Sequence, residues 1–568
     1  MTPLSQSGMK EEAYPSRQHP SASAATGVAL MVGLVVLAAT FLPYFINYAT
    51  CPQGQVFTGV ITWLPDQMSY LAWIRQALHG GPYYDLFTPE PHPPLKPPVF
   101  WVWLGAAARL LHLSPIAAYH LSRLLVSVLY LFVLWKALGV WTEGPVARVV
   151  AFTAIGVGSG LGALAVRLGA LRFTADLQMP ELWSFSSMLY YAHFVAALVL
   201  VALVWWMLGL LWRRPERPLA LPATVVVVAS ALLVYLHPYT WFPLAAATLA
   251  YAVLYSGARG TASDGVPARR RWLGAGLVWA AAPLVGLEAL SFRAHPILRQ
   301  WAEQNALPSP SPLSYVLGFG LVLVAAVVAL ARRGEEKRGL VRNFSFAWVL
   351  GALLLAYSYP LLPFARRCLE GAHIFLVILA LPVLVTAAEG AVRRVLGEDL
   401  ETGNWGTPTG RGLALAAVLT ALALGPTSAY QVVHACLVPT GRVPLAVAHA
   451  WREIERRVPP EAPVMALGVD GMFLPAMCER RVFVGHFHLT THFERRREEA
   501  ARFFIPGTTK AWRAKLLKDS GCRYVFASSL KPQVRHELEE LLGKPVWSEG
   551  EVVLFEVPAT LIGRDGAR

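Results

Sequence analysis

Arg366 and Arg367 adjoin one another between two long apolar stretches, in YSYPLLPFARRCLEG, and the chemistry such a pair offers is the holding of an anion. An unpaired charge near hydrocarbon costs at least about 2.5 kcal/mol. Two adjacent guanidiniums there call for a negative partner, and the guanidinium fork matches phosphate oxygens. The plainer alternative is a pair that snorkels to lipid headgroups. Three carboxylates could draw a proton from a hydroxyl: Asp66 in ITWLPDQMSY, and Asp176 and Glu181 in RFTADLQMPELW. Each also has a bland reading. Asp66 beside Pro65 can be a helix N-cap, and the other two can be solvated loop acids pairing with Arg172. A helix starting at Pro65 and Asp66 and stopping at Gly80-Gly81 would stack Tyr70, Trp73 and Ala77 near one face. His193 and His237 each fall at the end of an apolar stretch, where a structural hydrogen bond competes with substrate contact.

The elements that must position these groups are membrane spans. Hydrophobic residues make up 55% of the 568-residue chain, charged ones 15%, and the mean hydropathy is +0.47. Stretches long enough to cross ~30 Å of hydrocarbon recur near 27 to 47, 118 to 138, 148 to 166, 188 to 212, 219 to 236, 239 to 256, 272 to 291, 313 to 331, 343 to 361, 372 to 390 and 412 to 431. The fold class expected is mainly α: a polytopic membrane bundle of about eleven spans, with a soluble α/β domain after it.

Orientation follows from the basic loops, since Lys and Arg beside short loops stay in the cytoplasm. Arg213, Arg214 and Arg217; Arg259 and Arg269 to Arg271; Arg332, Arg333, Lys337, Arg338 and Arg342; and Arg393, Arg394 and Arg411 all fall on one face. That face is inside, which puts Arg366 and Arg367 outside. The formal net charge of +14 is concentrated in those loops, so topology explains it and nucleic-acid binding is excluded. The expected layout is a cytoplasmic tail over 1–26, a membrane domain over 27–431 with a long first outer loop at 48–117, and an extracytoplasmic α/β domain over 443–568. The first span reads as a retained signal anchor in the plasma (inner) membrane.

Within the first outer loop, Trp101 to Leu111 is short for a span and carries Arg109. It is expected to lie along the interface, with Trp101 and Trp103 at headgroup depth. After residue 443 strand-like runs at 464–467, 481–485, 524–527 and 552–557 alternate with helical ones at 494–504, 510–520 and 534–542. The five cysteines show no metal-ligand spacing, although Cys478 and Cys522 could form one disulfide. GVGSGLG at 156–162 imitates a phosphate loop but lies in a span, where small residues serve close packing. His486, His488 and His492 in GHFHLTTHF resemble a metal cluster without a clearly placed acid and read as surface polarity, and RRREE at 495–499 reads as a solvated helix face.

The stretch Asp66 to Tyr70, the Gly80-Gly81 turn and the run Pro93-Pro94-Leu95-Lys96-Pro97-Pro98 together resemble the GT-C superfamily of membrane glycosyltransferases, which includes protein O-mannosyltransferases and lipid A aminoarabinose transferases. The resemblance covers the membrane part by layout and about fifty residues by pattern. It implies inverting transfer of a hexose or pentose from a polyprenyl-phosphate donor to a glycan, lipid or protein acceptor at the outer face. It further implies that Asp66 is the catalytic carboxylate, that Lys96 contacts donor phosphate, and that Asp176 or Glu181 is a second acid, with Asp176 slightly preferred. Many members carry another acid after the first, and here that position is Gln67, which puts a metal site in doubt. No cofactor and no metal are therefore expected. Lys96, Arg366 and Arg367 can meet the charge developing on the leaving phosphate. A flippase or transporter would instead show charges at mid-membrane depth and a repeat between halves. A non-catalytic membrane scaffold is the third class.

Overall fold

The computed structural model describes residues 20–96, 98–171, 173–214, 216, 218–255, 265–332, 339–397, 410–438 and 440–562. Arg172, Arg217, Arg259, Arg333, Lys337 and Arg338 lie outside the described residues, as does the tail up to residue 19. All eleven expected apolar segments fall on helices. Seven are long and apolar enough to cross a membrane: Ser23–Ala49, Pro115–Trp141, Ala192–Arg213, Ala268–Ala294, Pro312–Ala331, Gly339–Ala356 and Ala365–Leu396. Gly410–Leu424 and Pro426–Leu437 pass that test together but meet at a 71° bend. Pro145–Val157 and Ala220–Leu236 are shorter, and Pro238–Tyr255 is made less apolar by its prolines and tyrosines. The first helix begins at Pro20, ahead of residue 27, because the Ala-rich run before the apolar core is itself compatible with helix.

Ala192–Arg213 is apolar on every side, and 72% of its most apolar window is buried, so the other helices pack around it. Its 22 residues span about 33 Å at ~1.5 Å per residue. His193 marks one end and Arg213 the other. At the Arg213 end, Arg213 donates to the carbonyl of Val140, Arg270 to that of Leu211 at 2.7 Å, and Arg271 to that of Tyr255. Arg213, Arg270 and Arg271 are thus gathered at the end of this helix opposite His193.

The expected span at 148–166 is interrupted. Pro145–Val157 stops at Gly158, and a new helix, Gly162–Arg167, begins after the break. Pro312–Ala331 kinks at Gly320, whose φ of 51° suits glycine. The two interruptions meet: Leu161 N–H donates to Leu317 O at 2.8 Å, and a Cβ on Gly160 would lie 2.3 Å from the carbonyls of Leu317 and Gly318. Helix packing through small residues therefore operates at a break rather than along a continuous helix. The break seats the segment carrying Asp176 and Glu181, with Trp183 Nε1–H donating to Gly318 O at 2.9 Å.

In the first loop, β1 (Gln55–Phe57) pairs antiparallel with β2 (Arg442–Pro444), tying that loop to the entry of the C-terminal segment. A four-stranded sheet follows, with β3 (Val464–Met465) parallel to β4 (Tyr524–Ala527), then β6 (Val552–Glu556) and β5 (Trp547–Glu549) antiparallel. The 481–485 run is not a full strand and makes only an isolated bridge from Val482 to Val464. Alternation sends Tyr524, Phe526, Val552 and Leu554 to one face, packed with Trp451, Phe473 and, from the first loop, Met68, Leu71 and Trp73. Val525, Val553 and Phe555 face the other way, against Phe503, Leu517 and Leu538. Cys478 belongs to the first apolar cluster and Cys522 to the second, so the expected disulfide does not form and both thiols are free and buried.

On the short helix Val99–Leu110 the two tryptophans differ in burial. Trp103 is 56% exposed, but Trp101 is 3% exposed, stacked on Tyr70 at 4.5 Å and on Tyr119 at 6.0 Å. The helix Val99–Leu110 lies against Leu64–His79 through Gly105, where a Cβ would fall 2.1 Å from that of Ala77. Small residues at the crossing bring the aromatic face inward.

Candidate functional site

Asp66 sits in the first turn of the helix Leu64–His79. The position before that helix is taken by Trp63 in a left-handed conformation, with no side-chain cap, so Asp66 is not the N-cap. Its carboxylate points away from its own helix. Tyr191 donates its hydroxyl to Oδ2 at 3.2 Å, and His486 Nε2 lies 3.2 Å from Oδ1. The side chain remains 31% exposed, leaving room for a substrate atom. Burial alone would favour the neutral acid, but the hydrogen bond from His486 and the positive field of Arg367 outweigh it and hold the carboxyl below its ordinary range.

Arg366 and Arg367 occupy the short helix Ala365–Leu369. Their charges act on Asp66 and Glu181, and that of Arg367 also on Tyr70. The guanidinium of Arg367 lies 5.1 Å from the ring centroid of Tyr239. Neither arginine makes a side-chain hydrogen bond or ion pair among the described residues, and both Nε atoms are buried without a partner. Arg123 shows how differently a structural arginine is held here. It is fully buried, and its Nη1 donates to the carbonyls of Thr40, Met188 and Leu189 at 2.9 to 3.0 Å. Arg366 and Arg367 are both half-buried.

Of the two further acids, Glu181 shares the field of the arginine pair. Asp176 is engaged elsewhere. Gly162 N–H donates to its Oδ2 at 3.0 Å, and Gln431 donates to its backbone carbonyl at 3.0 Å. Burial pushes the Asp176 carboxyl up to about 6. Asp176 thus closes the glycine break, whereas Glu181 faces the guanidiniums.

His193, Tyr70 and Trp101 form one aromatic wall, with His193 4.7 Å from the Tyr70 ring and 5.2 Å from that of Trp101. His237 is next, 5.8 Å from His193. His237 Nδ1 and the Thr240 hydroxyl both reach Glu370 Oε2 at 2.5 Å, which leaves His237 Nε2 and His193 Nδ1 buried without partners. Lys96 stands apart: it pairs with Glu288 and lies 5.0 Å from the Tyr235 ring, touching neither Asp66 nor the arginines. Gln67 is wholly buried and does not line the site with Asp66. Among the described residues no three His, Cys, Asp or Glu side chains converge to hold a metal.

Sequence reasoning missed His486, Tyr191 and Glu370. Against the expectation of surface polarity, His486 is 3% exposed and contacts a residue 420 positions away. The signal available was the unusual GHFHLTTHF run, without any means of placing it. The solvated reading of RRREE fails at its second residue, Arg496, which is buried and pairs with Glu90 of the first loop.

No family model matches the chain, and no curated protein matches it. Solved structures do. The oligosaccharyltransferase of Archaeoglobus fulgidus, tethered with an acceptor peptide containing the NVT sequon, aligns at 14% identity and a TM-score of 0.52 over 89% of this chain and 69% of its own. AglB from the same organism, in complex with an inhibitory peptide and a dolichol-phosphate, aligns at 12% identity and 0.51 over 88% and 69%. ArnT from Cupriavidus metallidurans, bound to undecaprenyl phosphate, aligns at 15% identity and 0.51 over 95% and 100%. The chain shares its fold with these solved membrane proteins, over 88 to 95% of its length.

Proposed function

We propose that this protein is a membrane glycosyltransferase that moves a sugar from a polyprenyl-phosphate donor to an acceptor hydroxyl, glycan, lipid or protein, at the outer face of the plasma (inner) membrane. One observation carries the reading: two unpartnered guanidiniums with buried Nε atoms face a carboxylate held in its charged form. The donor's phosphate would lie on Arg366 and Arg367, with its isoprenoid tail among the helices. Asp66 would take the proton from the acceptor oxygen as that oxygen attacks the anomeric carbon. The bond between that carbon and the phosphate oxygen breaks, and its electron pair leaves on the phosphate, where the guanidiniums meet the charge. One displacement inverts the anomeric centre. Tyr70, Trp101, His193 and His237 offer ring faces and free ring nitrogens to the sugar. Glu181 limits the positive charge when no donor is bound, and Lys96 would contact donor phosphate only by leaving Glu288.

The basic residues at the opposite end of Ala192–Arg213 support this outer-face reading. The chain from 443 onward is then extracytoplasmic. The neighbours' peptide, dolichol-phosphate and undecaprenyl phosphate are consistent with a lipid-linked donor. The test is to incubate the purified protein in detergent with a panel of radiolabelled polyprenyl-phosphate hexoses and pentoses. Transfer or slow hydrolysis of any donor supports the reading, and none with the whole panel overturns it.

A further inference from the structure

We infer that His486, carried by the C-terminal α/β segment, is a positioning residue for Asp66, so that the reactive centre is assembled from both ends of the chain. The inference rests on the transferase reading. The backbone N–H of His488 donates to His486 Nδ1 at 3.0 Å. A backbone amide can only donate, so Nδ1 carries the lone pair and the ring proton sits on Nε2. Nε2–H then donates to Asp66 Oδ1, while Tyr191 donates to Oδ2. Each carboxylate oxygen has one fixed donor and keeps lone-pair capacity for an acceptor's proton. With the lone pair of Nδ1 taken by the His488 amide, the ring meets Asp66 as a donor through Nε2.

The loop that delivers His486 is held on two sides. Thr490 accepts from Gly485 N–H at 3.0 Å and donates to Phe87 O of the first loop at 2.8 Å. On the other side lies the helix Pro296–Gln304. Gln304 donates to the carbonyls of His488 and Thr490 at 2.8 and 2.9 Å, and Trp301 to that of Leu489 at 3.0 Å. A Cβ on Gly485 would fall 2.5 Å from Gly471 O and 2.8 Å from the Phe87 ring, so only glycine permits this approach. The imidazole lies parallel to Phe487 at 4.8 Å and edge-on to Phe87 at 5.8 Å. These contacts fix an N–H donor on the carboxylate. Asp66 also faces His488 from the same loop, Arg366 and Arg367 from Ala365–Leu369, and the phenols of Tyr70, Tyr119 and Tyr191. His486 is the group that bonds to it from outside the membrane bundle.

The test compares His486→Gln, His486→Asn and His486→Phe in the full-length protein, using the donor on which the wild type turns over. Gln extends an N–H donor toward Asp66, Asn replaces only the acceptor for His488 N–H, and Phe keeps only the ring contacts. Donor binding and melting temperature are measured for all three. The inference expects His486→Gln within about threefold of wild-type kcat, and the other two reduced by about tenfold or more with donor KM unchanged. In those two the acid limb of kcat/KM moves to higher pH, since Asp66 loses the bond that stabilises its charge. His486→Phe active with His486→Gln inactive would assign a packing role and overturn the inference. A wild type inactive with every donor overturns the transferase reading instead.

Discussion

Asp66 and Arg367 act on each other's charge without touching, each lying beyond the 4.0 Å of an ion pair from the other. An Asp and an Arg free to approach would form a direct pair, but here the first-loop helix and the short helix Ala365–Leu369 hold them apart. The space between opposite charges suits a substrate that brings an anion to one and a hydroxyl to the other.

The arginines are expected to govern donor binding. Each charge-assisted hydrogen bond lost costs about 1.5–3 kcal/mol, or roughly ten- to hundredfold. Arg367→Lys should raise donor KM by roughly tenfold, because an ammonium keeps the charge and loses the planar fork. Steady-state kinetics at varied donor concentration check this, and an unchanged KM would place the phosphate elsewhere.

Asp66→Asn should abolish transfer while leaving expression and the melting temperature near those of the wild type. The pH dependence follows from the lowered pKa of Asp66. A folded value below the unfolded ~3.9 means that the charged form adds stability above that value and loses it as pH falls through the folded one. The base should therefore stay competent through mildly acidic solution, with kcat/KM flat from neutral pH down to about pH 5. A steep loss between pH 7 and 6 would point to another base.

For Asp176 the sign is opposite. Its carboxyl titrates near 6, above the unfolded ~3.9, so its contribution to stability is full only below ~3.9 and is lost as pH rises through about 6. Asp176→Asn, neutral at every pH, should keep transfer activity and melt at the same or a higher temperature than wild type at pH 8. Loss of transfer in a well-folded Asp176→Asn would return this residue to the mechanism.

Guanidiniums in place of a carboxylate pair predict tolerance of chelation. Turnover after dialysis against EDTA should match that of the untreated protein within about twofold. Loss that manganese or magnesium restores would mean that the leaving phosphate is met by an ion.

Length and apolarity alone mark the eleven helical segments, because crossing hydrocarbon demands both. Arg366 and Arg367 stand out for the same reason, since charge interrupts a pattern that otherwise excludes it. The breaks at Gly158 and Gly320 are hidden, because glycine hardly changes hydropathy and the cause of each break is the other one's backbone. The inward packing of Trp101 is not legible, because composition does not say which side of a short helix meets Tyr70. His486 was least legible: its neighbours in sequence are polar and aromatic, and only the docking of the sheet on the first loop brings it to Asp66.

The most direct measurement is the equilibrium binding of a polyprenyl monophosphate to purified wild type, Asp66→Asn and the double variant Arg366→Gln/Arg367→Gln, each in detergent. The account predicts that wild type and Asp66→Asn bind alike and that the double variant binds at least about tenfold more weakly. Equal affinity in all three proteins would contradict it, since the lipid phosphate would then not rest on the two arginines.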